Sequence, residues 1–163
     1  MPAKTAYITG GASGIGRAVA KTLHARGMRI AIADRNLAGA KEVCSALDSS
    51  PNHNSDRGSL AVEVDVSSWE SQVEGFSAAI KEFGRIDIVI VNAGIGERVF
   101  VPNDRGQGTK FVKPDLTILD VDLTGFLYTA ALAIQQMRRQ MPDPEGFRGK
   151  SECSLGTDDG NVC

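Results

Sequence analysis

Residues 5–16 read TAYITGGASGIG, and this stretch limits the fold more strongly than any other. Thr5–Thr9 is apolar and β-branched, the composition of a buried strand. Gly10, Gly14 and Gly16 then crowd one turn, and Ile15, Val19 and Leu23 follow at helical spacing until Gly27 stops the helix. A strand that turns directly into a helix cannot meet its successor as a hairpin. Where that order repeats, it implies right-handed crossovers and a parallel sheet with helices on both faces.

The same alternation repeats downstream. Met28–Ala33 is a second apolar run, closed by Asp34, and Leu37–Leu47 puts Leu37, Ala40, Val43, Cys44 and Leu47 on one helical face. Residues 48–59 are polar and turn-rich; Leu60–Val64 alternates and ends at Asp65. Ser67-Ser68-Trp69-Glu70 reads as a capping box with Ser67 as the cap, opening a helix with Val73, Phe76, Ile80 and Phe83 inward and a stop at Gly84. Ile86–Val91 is nearly continuous apolar sequence before Asn92-Ala93-Gly94, suited to a strand covered on both faces. Residues 95–115 read as a long loop over the ligand side, with Val99, Phe100, Val101 and Phe111 as apolar candidates for a substrate wall. Residues 116–141 are a long helical stretch, broken near Gly125 and ended by Pro142-Asp143-Pro144. The expected fold is α/β: a doubly wound parallel sheet, incomplete, of about four strands with helices on both faces. Residues 1–149 make this domain, and 150–163 (KSECSLGTDDGNVC) read as a disordered polar tail.

The glycine turn carries the first chemistry. A phosphate needs close backbone approach, which a Cβ would block, and it gains from the unpaired N–H groups at a helix start. Gly10, Ser13, Gly14, Ile15 and Gly16 are therefore candidates for a dinucleotide pyrophosphate site, against the plainer reading of a tight strand–helix turn. Asp34, ending the second strand, falls where a carboxylate accepts from adenosine ribose hydroxyls. It repels a 2′-phosphate and favours NAD; Arg35 beside it can pair with such a phosphate and leaves NADP open.

With Thr9-Gly10-Gly11-Ala12-Ser13-Gly14-Ile15-Gly16, then Asp65-Val66, then Asn92-Ala93-Gly94, the chain resembles a short-chain dehydrogenase/reductase of the single-domain type, C-terminally truncated. The resemblance covers residues from about 5 to 140 and implies hydride transfer between NAD(P) and a secondary alcohol or ketone. It further implies that Asp65 contacts the adenine amino group with the Val66 backbone beside it. Asn92, Ala93 and Gly94 would pack against the cofactor and stabilise the central sheet.

The same resemblance exposes departures. Family members react through a Ser and a Tyr-x-x-x-Lys, in which a nearby Lys⁺ lowers the Tyr pKa from about 10 toward working pH. Tyr7 and Tyr128 are the two tyrosines, and neither has Lys four residues on. Ser151 and Ser154 do not follow an apolar strand, and Asp122 stands where many members carry a helix Asn. No catalytic residue is carried over. The readings left are an impaired NAD(P)-dependent oxidoreductase, a non-catalytic dinucleotide-binding or regulatory module, and an unstable truncated product.

Composition narrows the partners. A net charge of −2 without a Lys/Arg cluster gives no footprint for nucleic acid. Cys44, Cys153 and Cys163 have neither metal-ligand nor disulfide spacing and read as reduced thiols of a cytoplasmic protein. No run approaches the roughly 18 apolar residues of a membrane span. Substrate and homo-oligomeric state stay open.

Overall fold

The first strand, β1 (Thr5–Thr9), is buried at every position and forms the middle of the sheet. It belongs to a computed structural model that describes residues 3–50, 58–96 and 111–153. From β1 the chain runs through α1 (Gly14–Ala25), β2 (Arg29–Asp34), α2 (Leu37–Asp48), β3 (Ser59–Glu63), α3 (Trp69–Phe83) and β4 (Ile88–Val91). A further helix, α4, begins as a π-helix over Leu119–Gly125 and continues as an α-helix over Phe126–Arg139, and β5 (Lys150–Cys153) is the final element among the described residues. The strand order is β3-β2-β1-β4-β5, and all four pairings are parallel.

Side chains of a strand alternate between faces, and β1 shows how the two cores are divided. Ala6 and Ile8 join Ile30, Ile32, Ala20, Val43 and Leu47 under α1 and α2. Tyr7 turns the other way and packs with Val64, Phe76, Ile86, Val89 and Ala133 under α3 and α4. The doubly wound parallel sheet is the one expected from the strand–helix alternation. Among the described residues no helix is long and apolar enough to cross a membrane.

Three expectations need correction. The sheet has a fifth strand: Lys150–Cys153 pairs with Ile88–Val91, and Lys150 N donates to Asp87 O at 2.8 Å. This strand is held by backbone bonds at a sheet edge, so it needs no apolar alternation. The segment from Lys150 to Cys153 is thus ordered sheet, while 154–163 of the expected tail lie outside the described residues. Second, Ser68 caps α3, accepting from Ser71 N at 3.2 Å; Ser67 sits one residue early and bonds to Asp65 instead. Third, the helix is not broken at Gly125 but changes there from π to α hydrogen bonding. The candidate wall residues Val99, Phe100 and Val101 lie outside the described residues, and Phe111 is exposed.

Candidate functional site

The C-terminal ends of β1, β2 and β4 meet at one rim of the sheet, where parallel α/β folds leave a crevice. β1 leads into Gly10, and the N-cap of α1 is Ser13, whose side chain makes no capping bond. The first N–H groups of a helix have no partner inside it, so those of α1 are left unoccupied by Ser13. Gly14 has φ +51° and no atom within 4 Å of where a Cβ would stand, so the turn is open on that side. Ile15, 68% exposed, is an apolar side chain left uncovered at the same lip.

Gly16 faces the other way. It is buried, and a Cβ there would lie 2.3 Å from Gly10 O and 2.6 Å from Asn92 Nδ2. Its role in this geometry is to let α1 pack down on the turn, not to line an opening.

Asp34 ends β2 and ties the rim together. Oδ2 accepts from Ala12 N and Oδ1 from Asn36 N, both at 2.9 Å. Each carboxylate oxygen therefore keeps acceptor capacity for one more donor. At the end of β3, Asp65 Oδ1 accepts from the Ser67 hydroxyl at 2.6 Å and from Ser67 N at 2.9 Å. The Ser67 hydroxyl is the main reason the Asp65 carboxyl titrates below the usual range. Partial burial opposes it, while the Ser67 N–H and the charge of Arg35 add to it.

At the end of β4, Thr9 Oγ1 accepts from Asn92 N at 3.0 Å and Ala93 N at 3.1 Å. Asn92 Nδ2 returns bonds to Thr9 O and Gly10 O, at 3.1 and 3.2 Å. Asn92 therefore locks the strand-four turn to the glycine turn. One residue beyond Gly94, Ile95 N donates to Asp122 Oδ1 on the π-helical segment at 2.9 Å.

These groups enclose a cavity of about 550 Å³. Gly10, Ser13, Gly14, Ile15, Asp34, Arg35, Asp65, Val66, Asn92, Ala93 and Gly94 line it, which brings together every binding candidate read from the sequence except Gly16. The structure adds Ala33, Asn36, Val64, Ile95 and Val121. Most of these flank a recognised motif; Val121 had no sequence signal, because only the approach of α4 brings it there.

Neither tyrosine lines the cavity. Tyr7 is wholly buried against Phe76, with ring centroids 4.2 Å apart and planes tilted by 39°; its hydroxyl has no partner among the described residues, and burial pushes its pKa up. Tyr128 meets Trp69 edge-on at 5.4 Å. Ser151 lies on β5, opposite Val89. Among the described residues no cluster of His, Cys, Asp or Glu could hold a metal ion.

A family model described as short chain dehydrogenase matches residues 4–143. An NADP-dependent dehydrogenase of Phoma sp. is 37% identical over 139 residues, covering 82% of this chain and 39% of that protein. An NADP-dependent dehydrogenase of Cochliobolus lunatus is 32% identical over 156 residues, covering 93% of this chain and 52% of that one. Among solved structures, a 3-ketoacyl-(acyl-carrier-protein) reductase from Brucella melitensis complexed with NADH superposes with a TM-score of 0.67 at 30% identity. That match covers 83% of this chain and 50% of the reductase. The chain thus spans about half the length of the proteins it matches, or less.

Proposed function

The chain belongs to the short chain dehydrogenase family, and on that premise we propose that these 163 residues form a dinucleotide-binding unit selective for NAD(H) over NADP(H). We propose further that the chain by itself does not complete the hydride transfer of its family. The observation that carries the reading is Asp34: a carboxylate fixed at the cavity rim by two backbone N–H groups at 2.9 Å, with acceptor capacity left over.

The residues present fit such a cofactor. The glycine turn is open at Gly14, where a Cβ would occupy free space, and α1 starts with N–H groups that Ser13 leaves unused. These groups would hold the pyrophosphate, and the helix end adds about 0.3–1 kcal/mol per anionic group. Asp34 would accept from the ribose hydroxyls, and Asp65 with Val66 would border the adenine. Asn92, Ala93 and Gly94 would form the floor toward the nicotinamide. When bound, the nicotinamide ring supplies the hydride acceptor or donor.

Oxidising a secondary alcohol sends a hydride to the ring and a proton to a base beside the oxygen. Tyr7 lies in the core and Tyr128 packs on Trp69, so neither tyrosine of the chain stands at the cavity to take that proton. This favours binding without turnover as the behaviour of the chain alone. The buried thiol of Cys44, which forms no disulfide, fits the cytoplasmic location we propose.

A 2′-phosphate close to Asp34 would face one full charge of its own sign. Between the water and near-surface limits this costs about 2 kcal/mol, or roughly 30-fold in affinity. Titrating the purified chain with NADH and NADPH tests this: NADH should bind at least tenfold tighter, and Asp34→Ala should erase the difference. Equal affinities in the parent chain would sink the preference, and no saturable binding of either would sink the binding reading.

A further inference from the structure

Val66 and Gly125 meet so closely that a Cβ on Gly125 would lie 2.9 Å from Val66 Cγ2 and 3.0 Å from Val66 O. This contact joins the cavity rim to the point where α4 changes from π to α hydrogen bonding. It also brings two backbone carbonyls, Val66 O and Gly125 O, into one dry place. Two acceptors side by side repel and need donors.

Gln72, fully buried on α3, supplies both. Its Nε2 donates to Val66 O at 2.6 Å and to Gly125 O at 2.9 Å. The hydroxyl of Thr129, itself 1% exposed, has two acceptors for its one proton, Gln72 Oε1 at 2.7 Å and Gly125 O at 2.9 Å, which leaves Gln72 Nε2 as the donor that both carbonyls share. The amide orientation is forced, because only the NH₂ end can face two carbonyls.

We propose that Gln72 is a positioning residue for the cofactor site. It clamps the Val66 rim to the π-helical segment Leu119–Gly125 and so sets where that segment stands against the cavity. The segment contributes Val121 to the lining, and its Asp122 holds Ile95 N at 2.9 Å beside Gly94. One carboxamide therefore joins the Asp65–Val66 border to the Asn92–Ile95 border through α4. Short π segments within helices occur often at functional sites, and here the clamp sits at the residue where the π turn ends.

The inference rests on the dinucleotide-binding reading only for its consequence in affinity. The test uses Gln72→Met, which keeps the volume but removes both donors. Val43→Ala, on the opposite face of the sheet, serves as a control for general loss of stability. Amide hydrogen exchange of the unliganded chain is read across 119–125, and NADH affinity is measured at temperatures where each variant is folded. Gln72→Met should raise exchange across 119–125 at least tenfold over Val43→Ala and weaken NADH at least tenfold. Exchange equal to that of the control overturns the clamp, whether or not NADH binds. Faster exchange with NADH affinity within twofold of the parent overturns its role at the site. If the parent chain itself fails to bind NADH, the dinucleotide reading fails, and exchange alone still decides the clamp.

Discussion

Gly14 and Gly16 lie two residues apart, yet alanine at each should fail in a different assay. At Gly16 the new Cβ would meet Gly10 O at 2.3 Å and Asn92 Nδ2 at 2.6 Å. Backbone and a bonded side chain cannot yield cheaply. Overpacking of this kind costs about 1–3 kcal/mol. Displacing Asn92 from Gly10 O forfeits a hydrogen bond worth about 1 kcal/mol. The sum, about 2–4 kcal/mol, corresponds to a Tm loss of about 5–15 °C for a domain of this size. At Gly14 nothing lies within 4 Å, so only the φ of +51° is costly. A left-handed alanine costs about 1–2 kcal/mol, or about 2–8 °C. On the proposed dinucleotide reading, that methyl would stand where a phosphate approaches, so NADH should weaken at least tenfold. Thermal melts and NADH titrations of both variants separate the roles. A Gly14→Ala chain that loses more stability than Gly16→Ala, or that binds NADH normally, would refute the assignment of packing to one glycine and ligand approach to the other.

Other perturbations probe the same frame. Tyr7→Phe removes a buried hydroxyl that has no partner, so it should stabilise the fold by about 1 kcal/mol and leave NADH affinity unchanged; a lower Tm would mean the hydroxyl is satisfied after all. Folding lowers the Asp65 pKa, so the stability it lends is complete above the unfolded value of about 3.9 and fades as pH falls through the lower folded value. Asp65→Asn should therefore flatten part of the acid limb of a pH–stability curve. The same flattening should follow from Ser67→Ala, which removes the main cause of the shift; a curve unchanged in both variants would contradict this.

Much of this architecture is legible in the sequence because its signals are local. Thr5–Thr9 as β1 coincides with the apolar run, and Gly14, Leu37 and Phe83 fall at helix ends that periodicity and a stopping Gly84 announce. The cavity rim was readable for the same reason, since glycine turns and strand-ending carboxylates occupy fixed offsets. What was hidden depends on distant partners. β5 carries Lys-Ser-Glu-Cys, without alternation, and exists because β4 offers an unpaired edge. Val121 reaches the cavity only through the π turn, and the clamp by Gln72 depends on carbonyls 6 and 53 residues away. Ser67 and Ser68 are adjacent and chemically identical, so a capping motif does not tell which of them bonds to the helix.

The strand order has a kinetic side. β1 is made first but is the middle of the sheet, and its two neighbours arrive at very different times. β2 follows through α1 alone, whereas the contact of Thr5 with Asp87 closes 82 residues of chain. Local closure is faster than distant closure, so β1, α1 and β2 should pair while one side of β1 still waits. Pulse-labelled exchange should then protect Ile30 and Ile32 before Ile90, and simultaneous protection would disprove this order. Because the rim is shared by β1, β2 and β4, no early intermediate contains a complete cavity. A dinucleotide bound as proposed would stabilise only the finished fold, and a chain caught half-built would gain nothing from it.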